Sequence, residues 1–284
     1  MQTKHASPIP LVILLALTLA TPSVLAATWT TFDCPTSVAT LGIYAMNSSG
    51  QMVGTYVDSG DQAFHGFLNN GGTCTAITIS GAYQTYATGI NDNGEIVGFY
   101  DDGTHSHGYT MIGQTLSFFD YPGALDTFTG HVNNSGQIVG TYRDASSSNH
   151  GFELSGGIYT TIDVPGATAT LAWGINNLGD IVGEFVTPST YGEGFLLTGG
   201  HYRLISYPGA VVTAAWGVND SLVIAGSILS QKGYEHVFWF AQGKYSNILT
   251  YPGAIESQGL NIDNAGTIVG EYTTDTNHGF IRTR

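Results

Sequence analysis

From Thr28 onward the apolar positions fall in runs of four to seven residues, rich in Ile, Val, Phe, Tyr and Thr, and each run is closed by Gly, Asn, Pro or Asp. No run carries the 3.6-residue spacing of an amphipathic helix, so the pattern predicts short β-strands joined by tight turns. The stretch from Thr170 is representative: "TLAWGIN", a turn at "NLGD", "DIVGEFV", a loop, "GEGFLLTGG" and "HYRLISYPGA" read as four strands in series. In the phrase N-x-x-G, Asn suits the first position of a type I turn, where its side chain accepts a backbone N–H. Gly suits the fourth, where other residues resist the required conformation. The phrase therefore predicts a hairpin between a first and a second strand. Asn91-Asp92-Asn93-Gly94 also reads as a calcium loop, but sister copies put Ser49, Leu178 or Ala265 at a ligand position, which favours the turn. The second strand, Ile96 to Tyr100, is apolar on both faces, as expected of a sheet packed between two others.

The phrase occurs six times. Its Asn or Asp (Asn47, Asn91, Asn133, Asn176, Asn219, Asp263) recurs at intervals of 44, 42, 43, 43 and 44 residues. Each copy continues with "HGF" or a relative, from His65-Gly66-Phe67 to His278-Gly279-Phe280, and most close on "YPGA" or a variant. Four short strands per roughly 43 residues is the period of a propeller blade. The expectation is an all-β, six-bladed β-propeller forming one domain over 27–284, with an open β-solenoid as the rival. "TWTTFDCP" at 28–35 matches "YTTIDVP" at 159–165, a fourth strand without its first three, whereas "HGFIRTR" at 278–284 is a third strand without its fourth. The ring is expected to close by pairing the N-terminal strand into the last blade. The copies also differ: Leu222 replaces the turn Gly and Val237 the central Gly of the tripeptide in the fifth, and Glu193 replaces His in the fourth.

The combination of N-x-x-G-x-I-V-G, HGF and PGA, from Thr28 to Phe280, resembles the bacterial extracellular-repeat family called HAF after its His-Ala/Gly-Phe tripeptide. The resemblance implies an exported repeat protein and brings no settled activity. "MQTKH", an apolar core of about a dozen residues and small residues at Val24 and Ala26 read as a secretory signal peptide over 1–26. Cleavage there leaves 258 residues, six modules of 43, and a secreted or periplasmic protein.

The formal charge of −14 becomes −15 once Lys4 leaves with the leader. Such a surface repels phosphate backbones and anionic lipid, so no nucleic-acid partner and no membrane insertion are expected. Neutral glycans, cations and basic peptides remain, on a protein expected to be monomeric and free of cofactor and bound metal. The recurring His begin third strands, too far from the axis to share one ion, and a bond to a nearby Asp or carbonyl is expected instead.

Because an on-axis ligand is asymmetric, specificity should lie where the copies differ. The loops entering the first strands read Tyr83-Gln84, Leu125-Asp126, Thr168-Ala169, Val211-Val212 and Ile255-Glu256. Together with Asp58, Asp102 and Asp144 they predict an acidic mouth with Tyr83, Gln84, Asp126 and Glu256 as candidate ligand contacts. The position three before the turn Asn is Thr88, Gly130 or Leu260 in three blades but Tyr44, Trp173 and Trp216 in the others, aromatics able to stack on sugar rings or to serve as core. His131 replaces Gly or Ala at its slot in four blades and is the candidate polar group facing the channel.

No G-x-S-x-G, H-E-x-x-H, P-loop or dinucleotide fingerprint occurs. A binding or scaffold module is expected; the alternative is a propeller lyase or glycoside hydrolase built from carboxylates of different blades, which needs two titratable groups converging on one pocket. Alignment puts Cys34 at the end of one fourth strand and Cys74 at the start of another, at opposite ends of neighbouring blades, so the two are not expected to form a simple stabilising bridge.

Overall fold

The computed structural model describes residues 27–35 and 37–283; the leader expected over 1–26 lies outside them. The described residues form six four-stranded antiparallel sheets and no helix, a six-bladed β-propeller. Blade 2 is typical: Gln84–Ile90, Glu95–Asp101, Ser106–Ile112 and Thr115–Phe119 pair in sequence order. The innermost strands of blades 1 and 3 to 6 are Ser37–Met46, Asp126–Val132, Ala169–Ile175, Val212–Val218 and Glu256–Ile262. Neighbouring innermost strands touch in order around the ring, and that of blade 6 meets that of blade 1. The outermost strand of blade 6 is Thr28–Phe32, which pairs with Asn277–Thr283 from Thr28 opposite Thr283 to Phe32 opposite Gly279. The ring thus closes by the expected strand exchange.

Packing explains why the tripeptide and I-V-G recur together. The aromatic of the tripeptide (Phe67, Tyr109, Phe152, Phe195, Phe238, Phe280) is fully buried in every blade. It lies over the Gly of I-V-G: a Cβ on Gly54 would fall 2.8 Å from the Phe67 ring and 2.0 Å from the Gly42 carbonyl oxygen. The Gly of the tripeptide admits the next blade, since a Cβ on Gly66 would sit 3.1 Å from the Ala87 nitrogen. The fifth copy's departure is matched across this contact: Val237 stands where Gly is usual, and Gly259 of blade 6 stands where its neighbours carry Ala87, Ala172 or Ala215.

The tripeptide His are held as expected, His107 by Asp120, His150 by Asp163 and His278 by Asp33, each at 3.0 Å, with the Asp at the end of the same blade's outermost strand. His236 has Thr250 instead, at 2.8 Å.

Cys34 and Cys74 form a disulfide with 5.8 Å between their Cα atoms, which overturns the expectation of unpaired residues. The chain past the outermost strand does not stay at the blade's far end; it turns inward over the next blade. The residue in the Cys34 slot thereby meets the second residue of that blade's outermost strand. The equivalent pairs are Tyr121 with Tyr159 (ring centroids 5.2 Å apart) and Tyr207 with Tyr245 (5.3 Å), and Val164 shares a core cluster with Tyr202. The disulfide takes the place of this contact between blades 6 and 1.

Candidate functional site

The repeated Asn builds one end of the central channel. Asn91 Oδ1 accepts the N–H groups of Asn93 and Glu95, both at 3.0 Å, and Gly94 sits at φ +79°. These bonds make the expected tight turn. The amide does a second thing: Asn91 Nδ2 donates to the Asn133 carbonyl of the next blade at 3.0 Å. Asn47, Asn133, Asn176 and Asn219 donate in the same way, each at 3.0 or 3.1 Å. A second ring lies outside the first, where Asp92, Asn134, Asn177, Asp220 and Asn264 accept the backbone N–H of the preceding blade. This turn end is a small polar cavity of about 200 Å³ whose side chains hold each other. Asp263 has no amide to donate, so the inner ring is open between blades 6 and 1.

Toward the other end each innermost strand carries a β-bulge, and the residue inserted is Tyr44, Thr88, Gly130, Trp173, Trp216 or Leu260. A bulge re-aims a side chain out of the alternation of its strand. All six of these residues line a second cavity of about 290 Å³ on the channel axis. Trp173 and Trp216 form one wall, with centroids 4.8 Å apart, and Tyr86 stacks on Phe99 at 4.4 Å on another. Gln258 and Glu271, both from blade 6, supply its polar edge. The floor is His131: its Nε2 donates to the Tyr44 carbonyl at 3.1 Å and its Nδ1 accepts from Asn261 Nδ2 at 3.0 Å. His131 and Asn261 occupy the slot that is Ala45, Gly89, Gly174 or Gly217 elsewhere, and together they separate the two cavities. Burial pushes the His131 imidazole down to about 4, so it is neutral, in agreement with one donating and one accepting nitrogen.

Glu271 and the carboxylates linked to it by their charges are perturbed in one direction. Burial, with Glu235 and Glu256 nearby, pushes Glu271 up to about 8. Burial and Glu235 push Glu184 up to about 7, and Glu235 is raised by burial and Glu256. Among the described residues no Lys or Arg lines the chamber. Trp216 Nε1 donates to Ser227 Oγ at 2.8 Å, whereas the buried Trp173 Nε1 has no partner among the described residues.

The sequence-derived candidates divide. Tyr44, Trp173, Trp216 and His131 meet at the chamber. Asp126 is elsewhere: it is buried in an ion pair with Arg143, accepts the Ser106 N–H at 3.0 Å, and lines a surface depression. Gln84 accepts the Tyr86 hydroxyl at 2.6 Å behind the chamber wall, and Tyr83 is 68% exposed outside it. Glu256 acts on the chamber through its charge on Glu271. Asp58, Asp102 and Asp144 do not gather at a mouth; each accepts N–H groups of its own loop, as Asp144 does from Ser146 and Ser148. Sequence reading missed Glu271, Gln258, Tyr86 and Phe99. For Glu271 a signal existed: the residue after I-V-G is Thr55, Phe99, Thr141 or Ser227 in four blades and acidic only at Glu184 and Glu271.

The chain matches no protein-family model and no curated protein. Solved structures do share its fold. AofleA from Arthrobotrys oligospora superposes with a TM-score of 0.57 at 12% identity, covering 91% of this chain and 86% of that one. A gluconolactonase-like protein gives 0.53 at 11% identity, covering 92% and 93%. Trypanosoma rangeli sialidase, solved with 2,3-difluorosialic acid as a covalent intermediate, gives 0.51 at 8%, covering 87% of this chain and 54% of that one. The likeness is one of fold: the chain is a β-propeller module.

Proposed function

We propose that the protein is an extracellular binding module of the HAF-repeat kind, exported by its leader, which takes a glycan or another surface component into the aromatic chamber. The observation that carries this reading is the ring of bulges, which turns Tyr44, Trp173 and Trp216 onto the axis where a scaffold alone would need only small or aliphatic residues. Flat aromatic faces with one polar edge suit a ring that is apolar on one side and hydrogen-bonding at its rim. Two structural neighbours are named for sugar-derived substrates, and at their identities they support the fold alone. The test is a glycan array with the chain from Ala27 onward, with and without calcium. Retention of defined glycans, lost in Trp173→Ala and Trp216→Ala, is expected; no retention, or retention indifferent to both changes, overturns the reading.

A second reading rests on Glu271. A carboxyl pushed up to about 8 holds its proton at neutral pH, as a general acid for glycosidic cleavage must. Glu235 and Glu256 are the nearby carboxylates that could complete a pair. Turnover of a nitrophenyl glycoside, abolished by Glu271→Gln, would move the protein to this class.

A further inference from the structure

The chamber combines aromatic walls with an acidic edge and has no positive charge to balance that edge. Glu271 has no hydrogen-bonded or basic partner among the described residues, while Glu235 and Glu256 bear on it electrostatically. One of its oxygens lies 3.3 Å from where a Cβ on Gly42 would be, beside the Tyr44 ring, which places the carboxylate against the aromatic wall. We propose that the chamber is a receptor for an organic cation, a protonated amine or quaternary ammonium group carried by the ligand, with its charge on Glu271 and its alkyl face on Trp173, Trp216 and Tyr44. The inference rests on the reading that the chamber binds a ligand, and it names the chemistry of that ligand.

Four considerations favour this class over its rivals. Aromatic faces attract cations through their quadrupole, and the effect grows where water is excluded. A largely buried carboxyl without a counter-charge keeps its proton, and a cation that brings the missing charge displaces that proton and pairs with the carboxylate left behind. An anionic ligand would meet Glu271, Glu235 and Glu256 with nothing to oppose them, and a neutral one would bring no counter-charge to this acidic group. A hard metal ion is a poor fit as well: among the described residues no three His, Cys, Asp or Glu side chains converge as a ligand set, and indole and phenol rings offer it no oxygen cage.

The experiment is calorimetric titration of the chain from Ala27 onward at constant ionic strength. The probes are choline against its neutral carbon isostere 3,3-dimethylbutan-1-ol, and glucosamine against N-acetylglucosamine. Binding of choline or glucosamine at least tenfold tighter than its neutral counterpart is expected, and which of the two binds better separates a quaternary headgroup from an amino sugar. Glu271→Gln should erase the preference; should that variant fail to fold, the paired probes on the unaltered protein still decide. Equal binding of neutral and charged probes overturns the cation inference and leaves the glycan reading standing. Binding of neither cation overturns it as well, and the array then judges the glycan reading by itself.

Discussion

The two ends of the channel are lined by residues of the same innermost strands, yet they solve different problems. At the turn end the copies agree: five Asn amides reach the next blade and their carbonyl oxygens close their own turns, so each polar atom already has a partner. At the chamber end the copies disagree, and the side chains that differ are those the bulges direct to the axis. A ring satisfied by its own repeats has little left to offer a ligand. An asymmetric chamber with, among the described residues, an unpartnered indole N–H and a carboxyl that has no basic partner has unmet hydrogen bonding to offer a ligand. Changes at the turn end should therefore cost stability and spare binding, and changes in the chamber should do the reverse.

The largest effect is expected at the seam where the turn-end ring is open. The disulfide spans 40 residues of sequence between the strand that closes blade 6 and blade 1. Loop closure of that size is worth about 4 kcal/mol in the chain-entropy view. Cys34→Ala with Cys74→Ala should lower the Tm by roughly 10 °C. A melt within two degrees of the parent would mean that the N-terminal strand holds the seam unaided and that the gap in the Asn ring is without consequence.

Next comes Asn133→Ala, which removes the bonds from the Ser135 and Gln137 N–H groups and the bond to the Asn176 carbonyl at once. A loss of about 3 kcal/mol is expected from these combined terms. Ligand affinity, measured well below the new Tm, should stay within a factor of two. A large affinity loss in a folded variant would erase the distinction between the two ends.

The acidic edge gives a pH test. Burial, with Glu235 and Glu256, pushes the Glu271 carboxyl up to about 8 in the folded protein from an ordinary 4.5. A carboxyl raised in this way binds its proton more tightly when folded. Its stabilising contribution is therefore complete below pH 4.5 and is lost as pH rises toward 8. A rise from 4.5 to about 8 corresponds to about 5 kcal/mol for a wholly buried group, and partial exposure of Glu271 reduces this to on the order of 2 kcal/mol. Glu184, pushed up to about 7, adds a smaller term of the same sign. The Tm should fall between pH 5 and pH 8, and Glu271→Gln should flatten that fall. A Tm that rises over this range would show that Glu271 has a counter-charge.

Much of this arrangement was legible in the sequence because repetition samples one structural slot six times. A Gly present at one slot in every copy points to a close approach, and the paired exchange of Val237 and Gly259 confirms which slots face each other. The bulge slot was legible by the same comparison, since Tyr44, Trp173 and Trp216 depart from Thr88, Gly130 and Leu260. What could not be read was the side-chain partner. Asp126 belongs to the right loop, but Arg143, 17 residues on, draws it into an ion pair outside the chamber. The disulfide was misjudged because strand register was extrapolated past Phe32, where the chain turns over the next blade and register no longer applies.

The smallest expected effect is also the one that most directly separates the two ends. Trp216 sits in a bulge, lies tilted against Trp173 and donates to Ser227 within its own blade, so its removal leaves the Asn ring and the inter-blade Phe packing untouched. Trp216→Ala should reduce affinity about tenfold, or 1.4 kcal/mol, the size of one aromatic contact. Trp216→Phe keeps a flat face and gives up only the internal hydrogen bond, so it should recover most of that affinity. Stability should change little in either variant, because the chamber is already a cavity and the lost ring opens onto it. If Trp216→Ala instead melts many degrees lower with affinity intact, the tryptophans are core packing at the axis, and the chamber end is as structural as the turn end.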